Sequence, residues 1–183
     1  MFDIIVIGAG VIGSLIARKL SSYKCNVLVL DKENDVGNGT SMANSAIVHS
    51  GYDPVPGTNK AKFNVLGNKM FPKMCEQLDV SLGKIGSLTI AVNDEQISTL
   101  KELAQRAKIN GVEVKLLSKE EVIAIEPNIT SEVKGALLAP SAMIVNPFTL
   151  TLHALENAVD NGVNVCFSEM VKDIKYVDNH FEV

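Results

Sequence analysis

The chain has few cysteines, and this scarcity excludes two classes of protein. Its 183 residues include only Cys25, Cys75 and Cys166, which are odd in number and far apart in sequence. Neither a disulfide framework nor a metal site with closely spaced ligands fits this pattern. We therefore expect the three cysteines to be reduced, buried thiols in a cytoplasmic protein.

The sequence also lacks a strong excess of charge and a long apolar run. Its 17 Lys and Arg and 21 Asp and Glu give a net charge of −4, and no basic cluster interrupts this mild acidity, which argues against a nucleic-acid partner. No segment approaches the roughly 20 apolar residues of a membrane span. Residues 4–17 are apolar, but they have neither the basic start nor the cleavage site of a signal peptide.

The first part of the chain has a pattern typical of a dinucleotide site. Residues 4–7 (IIVI) are a continuous β-branched run that predicts a strand buried on both faces, and the glycine run GAGVIG follows at 8–13. Helical spacing of apolar residues comes next, and residues 26–30 predict a second strand that ends on Asp31. Asp31 lies 18 residues after the last glycine, close to the roughly 20 expected for the acid that binds an adenosine ribose.

Each glycine of this run has a physical reason. Gly8 permits a tight turn, Gly10 lets a pyrophosphate approach the backbone, and Gly13 lets the helix pack close to the sheet. The N–H groups near Val11 and Ile12 would face the phosphates, with the positive end of the helix dipole behind them. Three glycines in six residues also occur in ordinary loops. Here, however, strand, turn, helix, strand and acid follow in the required order, which predicts a dinucleotide site.

A segment of small polar residues, 40–52 (TSMANSAIVHSGY), follows a charged, glycine-rich loop. It lacks the charge that is typical of a solvated loop. Such a segment is expected to run beside a group that needs many short hydrogen-bonding partners. The alternative is a buried, self-bonded turn.

The remainder of the chain predicts alternating helices and strands, and therefore an α/β fold. Helices are predicted over 58–78, from Asp94 as N-cap to Asn110-Gly111, after a capping box of Ser118 and Glu121, and from Asn146-Pro147 to Gly162. Strands are predicted over 86–92, 112–117, 134–138 and 163–167. The strand at 163–167 is predicted to be parallel to those at 4–7 and 26–30, and a hairpin is predicted at 170–183 that turns at Asp178-Asn179. Leu66, Met70 and Met74 fall on the apolar face of the first of these helices and are predicted to be core.

Three stretches of the sequence resemble a known family. Residues 2–12 (FDIIVIGAGVI), 39–52 (GTSMANSAIVHSGY) and 117–127 (LSKEEVIAIEP) are similar to the FAD-dependent glycerol-3-phosphate dehydrogenase and L-2-hydroxyglutarate dehydrogenase group of the D-amino-acid oxidase superfamily. The glycine run is shared by many flavin and nicotinamide proteins. The pattern from Asn44 to Gly51 is much more particular to this group.

The resemblance implies a Rossmann-like FAD-binding domain with a parallel sheet, formed by residues 1–77 and 142–183. Residues 78–141 would be the beginning of an α+β substrate domain. Proteins of this group are more than twice as long as this chain, so we expect the chain to be a truncated, N-terminal portion.

The resemblance also implies which residues contact FAD. The cofactor-binding residues would be Gly8, Gly10, Val11, Ile12 and Gly13 at the pyrophosphate, Asp31 and Lys32 at the adenosine ribose, Thr40 and Ser41 at the pyrophosphate or ribityl chain, Asn44, Ser45, Ala46 and Ile47 beside the flavin ring, and Val171 at adenine. Family members usually have glutamate where Asp31 stands, and aspartate offers the same chemistry. His49 is the expected catalytic base, because imidazole titrates near neutral pH. The alternative is that His49 only donates a hydrogen bond to a backbone carbonyl or packs beside the ring.

The implied activity is oxidation of a small anionic hydroxy compound, glycerol 3-phosphate or a 2-hydroxy acid, by hydride transfer to flavin N5. Electrons would then pass to oxygen, a quinone or a redox partner subunit. Peripheral association of the full-length protein with a membrane is compatible with this reading. The alternatives are a nicotinamide-dependent dehydrogenase, an amino-acid-oxidising flavoenzyme of the same superfamily, and a non-catalytic nucleotide-binding fragment.

Overall fold

A computed structural model describes all residues, 1–183, and the chain forms two compact units. The first unit comprises Met1–Ala46, Cys75–Ser81 and Asn146–Val183, and the second comprises Ile47–Met74 and Leu82–Val145. These limits differ from the predicted domain boundaries, which assign residues 47–74 to the FAD-binding part. The domain assignment itself stays a prediction.

Eleven strands and five α-helices make up the two units. The strands are β1 (Ile4–Ile7), β2 (Val27–Leu30), β3 (Ile47–Val48), β4 (Leu82–Gly83), β5 (Ser87–Ala91), β6 (Lys115–Ser118), β7 (Gly135–Ala139), β8 (Met143–Val145), β9 (Asn164–Cys166), β10 (Lys175–Val177) and β11 (His180–Glu182). The helices are α1 (Val11–Leu20), α2 (Asn59–Gln77), α3 (Asp94–Asn110), α4 (Lys119–Ile125) and α5 (Pro147–Asp160). A single 3₁₀ turn covers Thr40–Met42.

The first unit is built on a parallel sheet in the order β1-β2-β9. Ile4 pairs with Val27, and Leu28 pairs with Asn164, so the predicted parallel arrangement is confirmed. The buried core of this unit combines residues of the sheet, α1 and α5: Ala9, Ala17, Val27, Val29, Leu155, Ala158 and Val163. The prediction that β1 is buried on both faces is wrong, because none of its four residues is fully buried and Ile7 is 52% exposed.

Helix α1 lies unusually close to the turn that precedes it. A Cβ atom added to Gly13 would overlap the carbonyl oxygen of Gly8 and approach Val6 Cγ1 to 3.4 Å. Gly8 itself has a φ of +103°, a conformation that L side chains rarely adopt. The spacing of glycines therefore does what the sequence predicts: it brings the first turn of the helix directly against the end of β1.

The second unit contains two antiparallel sheets, β5-β7-β6 and β3-β8-β4. The capping box of Ser118 and Glu121 at the start of α4 is confirmed, as is the left-handed Gly111 at the end of α3. The prediction that Asp94 caps α3 is wrong. Asn93 is the N-cap, because its backbone is extended and its side chain accepts a hydrogen bond from the N–H of Gln96.

The hairpin of β10 and β11 closes through Asp178 and Asn179, as predicted. Both residues have positive φ, 46° and 67°, which matches the right-handed twist of a two-residue hairpin turn. The first strand is shorter than predicted, because pairing begins only at Lys175.

Two further predictions of burial are wrong. On α2, Leu66 is 46% exposed and Met70 is 64% exposed, although both lie on the predicted core face. Among the cysteines only Cys75 is buried; Cys25 is half-buried and Cys166 is exposed. Periodicity and residue type indicate which side chains can be buried, but not whether another element covers them.

None of the helices is both long enough and apolar enough to cross a membrane.

The close approach of α1 to the glycine turn predicts an unusual response to Gly13→Ala. Inside a helix, alanine is favoured over glycine by about 1 kcal/mol. At Gly13, however, the overlap with the Gly8 carbonyl forces backbone shifts that cost about 1–3 kcal/mol, so we expect a lower melting temperature. The matched control is Gly67→Ala in α2, where no heavy atom lies within 4 Å of the added Cβ. It should leave the melting temperature unchanged or raise it, and a Gly13→Ala variant as stable as the wild type would contradict this packing.

The different exposure of the cysteines predicts selective alkylation. Burial raises the pKa of the Cys75 thiol, and the thiolate is the reactive form. Brief treatment of the folded protein with iodoacetamide should modify Cys166 well before Cys75, as measured by peptide mass spectrometry. The denatured protein, in which both thiols are accessible, is the control. Equal labelling rates in the folded protein would show that Cys75 is not protected.

Candidate functional site

A cleft of about 780 Å³ lies in the first unit, at the carboxyl ends of the parallel strands β1, β2 and β9. Ligands of open α/β sheets bind at this edge, and the volume is in the range of about 300–1,000 Å³ that is usual for small-molecule sites. Ten of the predicted cofactor-binding residues line it: Gly8, Gly10, Val11, Ile12, Asp31, Lys32, Thr40, Ser41, Asn44 and Val171. The fold therefore gathers residues from four separate segments of the chain.

The remaining predicted site residues do not line this cleft. Gly13 lies beneath the glycine turn, against the carbonyl of Gly8. Ser45 and Ala46 end the loop of the first unit, whereas Ile47 and His49 belong to the second unit. Their predicted contacts with the flavin ring stay predictions.

The start of α1 presents bare backbone to the cleft. Its N-cap Gly10 is extended, supplies no side-chain cap, and is followed by a first turn without acidic residues. The N–H of Val11 donates a hydrogen bond of 2.9 Å to Ser41 Oγ, and a Cβ added to Gly10 would lie 3.3 Å from the same oxygen. The absence of a side chain at Gly10 thus keeps the helix N-terminus accessible, which suits a pyrophosphate group.

Asp31 stands at the end of β2 and is half-buried beside the glycine turn. Its carboxylate accepts hydrogen bonds from the N–H groups of Ala9 and Glu33. Lys32 next to it forms an ion pair of 3.5 Å with Glu33. Both side chains are largely exposed, so this pair contributes little to the stability of the fold. Asp31 therefore lies where its carboxylate could accept hydrogen bonds from ribose hydroxyls, and two backbone N–H groups already donate to it.

The loop that follows is held by its own side chains. Asn44 Nδ2 donates to the carbonyl of Ser41 at 3.0 Å, and Asn44 Oδ1 accepts from the N–H of Ala46 at 2.8 Å. Ala46 has a φ of 60°, which is uncommon for a residue with a side chain and occurs often at functional sites. The segment therefore has the internal hydrogen bonds that a buried, self-bonded turn would have. However, Thr40, Asn44 and Ser45 are exposed rather than buried.

His49 lies just after β3 in the second unit, and its side chain is exposed. Its backbone carbonyl accepts a hydrogen bond of 3.1 Å from Asn68 Nδ2, and the same amide nitrogen donates to the carbonyl of Ser141 at 2.8 Å. Helix α2 therefore fixes the main chain at His49. The exposed imidazole is therefore carried by a main chain that is held in place.

Sequence reasoning missed several residues of the cleft, among them Gly37, Glu33 and Glu169. The N–H of Gly37 donates to the carbonyl of Ala9 at 3.0 Å, and the N–H of Glu169 donates to the carbonyl of Asp31 at 2.9 Å. These residues follow β2 and β9. A rule that the carboxyl ends of neighbouring parallel strands meet at one edge would have identified them.

Taken together, these features fit the adenosine diphosphate half of FAD. A glycine-rich turn, the N–H groups of the first turn of α1 and a carboxylate at the end of the second strand are the donors and acceptors that this half requires. Gly8, Gly10, Val11 and Ser41 would hold the pyrophosphate, and Asp31 would hold the ribose.

The comparisons with known proteins identify relatives along the whole chain. The FAD dependent oxidoreductase (DAO) family matches residues 3–183. The glycerol 3-phosphate dehydrogenase of Caloramator mitchellensis is 48% identical over 184 residues, which cover 100% of this chain and 38% of that protein. The mitochondrial L-2-hydroxyglutarate dehydrogenase of Arabidopsis thaliana is 36% identical over 159 residues, covering 86% of this chain and 32% of that protein.

A solved structure extends the similarity to the fold. The dithionite-reduced L-α-glycerophosphate oxidase of Mycoplasma pneumoniae, with FAD bound, superposes with a TM-score of 0.93 at 31% identity. The match covers 98% of this chain and 48% of the oxidase. The chain thus spans less than half the length of these relatives.

These similarities confirm the predicted resemblance to the glycerol-3-phosphate and L-2-hydroxyglutarate dehydrogenase group, the predicted Rossmann-like α/β fold and the predicted cofactor, FAD. The nicotinamide-dependent alternative does not fit them. The chain belongs to the DAO family of FAD-dependent oxidoreductases.

Proposed function

We propose that this chain is the dinucleotide-binding part of an FAD-dependent dehydrogenase or oxidase that acts on glycerol 3-phosphate. The observation that carries the proposal is the cleft at the ends of β1, β2 and β9, where a bare glycine turn, helix N–H groups and Asp31 converge. This arrangement supports binding of the adenosine and pyrophosphate end of FAD.

The choice of substrate is supported by the relatives. The glycerol 3-phosphate dehydrogenase of Caloramator mitchellensis is 48% identical along the whole chain. The glycerol 3-phosphate oxidase of Mycoplasma pneumoniae is 33% identical over 99% of it. L-2-Hydroxyglutarate, another small hydroxy anion, is the alternative substrate, because relatives named for it match 80–95% of the chain.

His49 is proposed as the base that removes the hydroxyl proton of the substrate. Its exposed imidazole and the hydrogen bond that holds its backbone carbonyl support this role. When bound, FAD supplies the acceptor for the hydride that leaves the carbon bearing that hydroxyl. The proton of the O–H bond passes to an imidazole nitrogen, so that the substrate becomes a carbonyl compound.

The loop before His49 is held by its own hydrogen bonds. Asn44 ties Ser41, at the cleft, to Ala46, the last residue before β3.

The proposal also includes an electron acceptor, which would be oxygen, a quinone or a redox partner subunit. It further includes a cytoplasmic location and peripheral membrane association of the full-length protein.

The proposal predicts that the purified full-length protein carries FAD and that glycerol 3-phosphate bleaches its visible absorption under anaerobic conditions. L-2-Hydroxyglutarate and glycine are offered in parallel at the same concentration. Bleaching by L-2-hydroxyglutarate alone would replace the substrate, and bleaching by glycine alone would indicate an amino-acid-oxidising enzyme. FAD binding without bleaching by any of the three would support a binding role.

Removal of the proposed base should slow the chemical step. We expect His49→Gln to lower the rate of anaerobic flavin reduction by about 10²–10⁴-fold, the usual contribution of a positioned general base, while FAD stays bound. The matched control is His180→Gln, because His180 is also exposed but lies in the β10–β11 hairpin. If both variants reduce flavin at the wild-type rate, His49 is not the base.

A further inference from the structure

The carboxylate of Asp31 is bonded to the protein backbone on both of its oxygens. Oδ2 accepts the N–H of Ala9, within the glycine turn, and Oδ1 accepts the N–H of Glu33, two residues further along its own segment, at 2.9 Å. Ribose binding alone does not require the carboxylate of Asp31 to accept a hydrogen bond from Ala9, which lies 22 positions earlier in the sequence.

The Ala9 peptide is anchored on its other side as well. Its carbonyl accepts the N–H of Gly37 at 3.0 Å, and Ser14 Oγ approaches the same oxygen at 3.4 Å. Ala9 is fully buried. Its N–H therefore cannot turn to solvent, and without Asp31 it would be a buried donor with no partner, which is a costly state.

The main chain of Asp31 is anchored equally well. Its N–H donates to the carbonyl of Cys166 at 3.0 Å, and its carbonyl accepts from Glu169 at 2.9 Å. The carboxylate thus projects from a segment fixed between β2 and the end of β9, so it holds Ala9 against a rigid support.

We infer that Asp31 is a positioning residue that holds the glycine turn in its binding conformation before any dinucleotide arrives. This role is additional to ribose binding and rests on the proposed function only for its effect on FAD. A carboxylate offers about four acceptor positions, so the two backbone bonds leave room for ribose hydroxyls. A turn that is already ordered spares the ligand the entropic cost of ordering it.

The test is hydrogen–deuterium exchange of the full-length, flavin-free protein, read at the amides of residues 8–11. Asp31→Ala removes both acceptors, so exchange at these amides should rise by at least about 10-fold. The FAD dissociation constant should rise by a similar factor. Asp31→Asn has a single acceptor oxygen, so it should show a smaller rise in both, and it carries the test if the alanine variant does not fold.

Asp3 provides the matched control. Its carboxylate accepts the N–H of Asn26 at 2.7 Å and so bridges the same two strands at their opposite, amino-terminal ends. Asp3→Ala should leave exchange at residues 8–11 and the FAD dissociation constant at wild-type values.

Wild-type exchange at residues 8–11 in both Asp31 variants, with weakened FAD binding, would overturn the inference and leave Asp31 as a ribose ligand only. Faster exchange in the variants of a protein whose wild type binds no FAD would support the positioning role. That second result would overturn the proposed function instead, so the two failures are distinguishable.

Discussion

The close packing of α1 on the end of β1 is the constraint on which the rest of the cleft depends. Gly13 lies against the carbonyl of Gly8 with no space for a side chain, and this contact places the N-terminus of α1 directly above the sheet edge. Because the helix starts there, the residues of its first turn and the carboxylate at the end of β2 line one cleft.

The site is made mainly of backbone groups and contains few cations. Lys32 is the one basic side chain of the cleft, and it is exposed and paired with Glu33. Asp31 and Glu169 add further negative charge. A pyrophosphate would therefore be held by peptide N–H groups and the helix dipole. Such groups are fixed by the fold, so their arrangement matters more than their number.

The segment from Asn44 to His49 links the two units in sequence, and it is constrained at both ends. Asn44 holds Ala46 in a left-handed conformation, and Asn68 holds the carbonyl of His49. Strain of this kind persists only where neighbouring bonds enforce it, and it is found often at functional sites. Hydrogen bonds from Asn44 and Asn68 therefore fix the main chain at both ends of this segment.

Features that depend on neighbours in sequence were determined by the sequence itself. The strand, glycine turn and helix at the start of the chain, the capping box at Ser118 and the hairpin turn at Asp178 each follow from a few adjacent residues. The sequence predicts the N-cap of α3 one residue too late, because Asn93 and Asp94 are both good caps and only the backbone conformation selects Asn93.

Features that depend on distant partners were decided only by the tertiary structure. The pairing of Ile47 with Ile144, the exposure of Met70 and Cys166, and the inclusion of Glu169 in the cleft bring together segments far apart in the chain. The hydrogen bond between Asp31 and Ala9 likewise joins segments that are distant in sequence. Sequence spacing identified the acid, but only the fold shows that its carboxylate holds Ala9, because a hydrogen bond requires positions in space that no local pattern specifies.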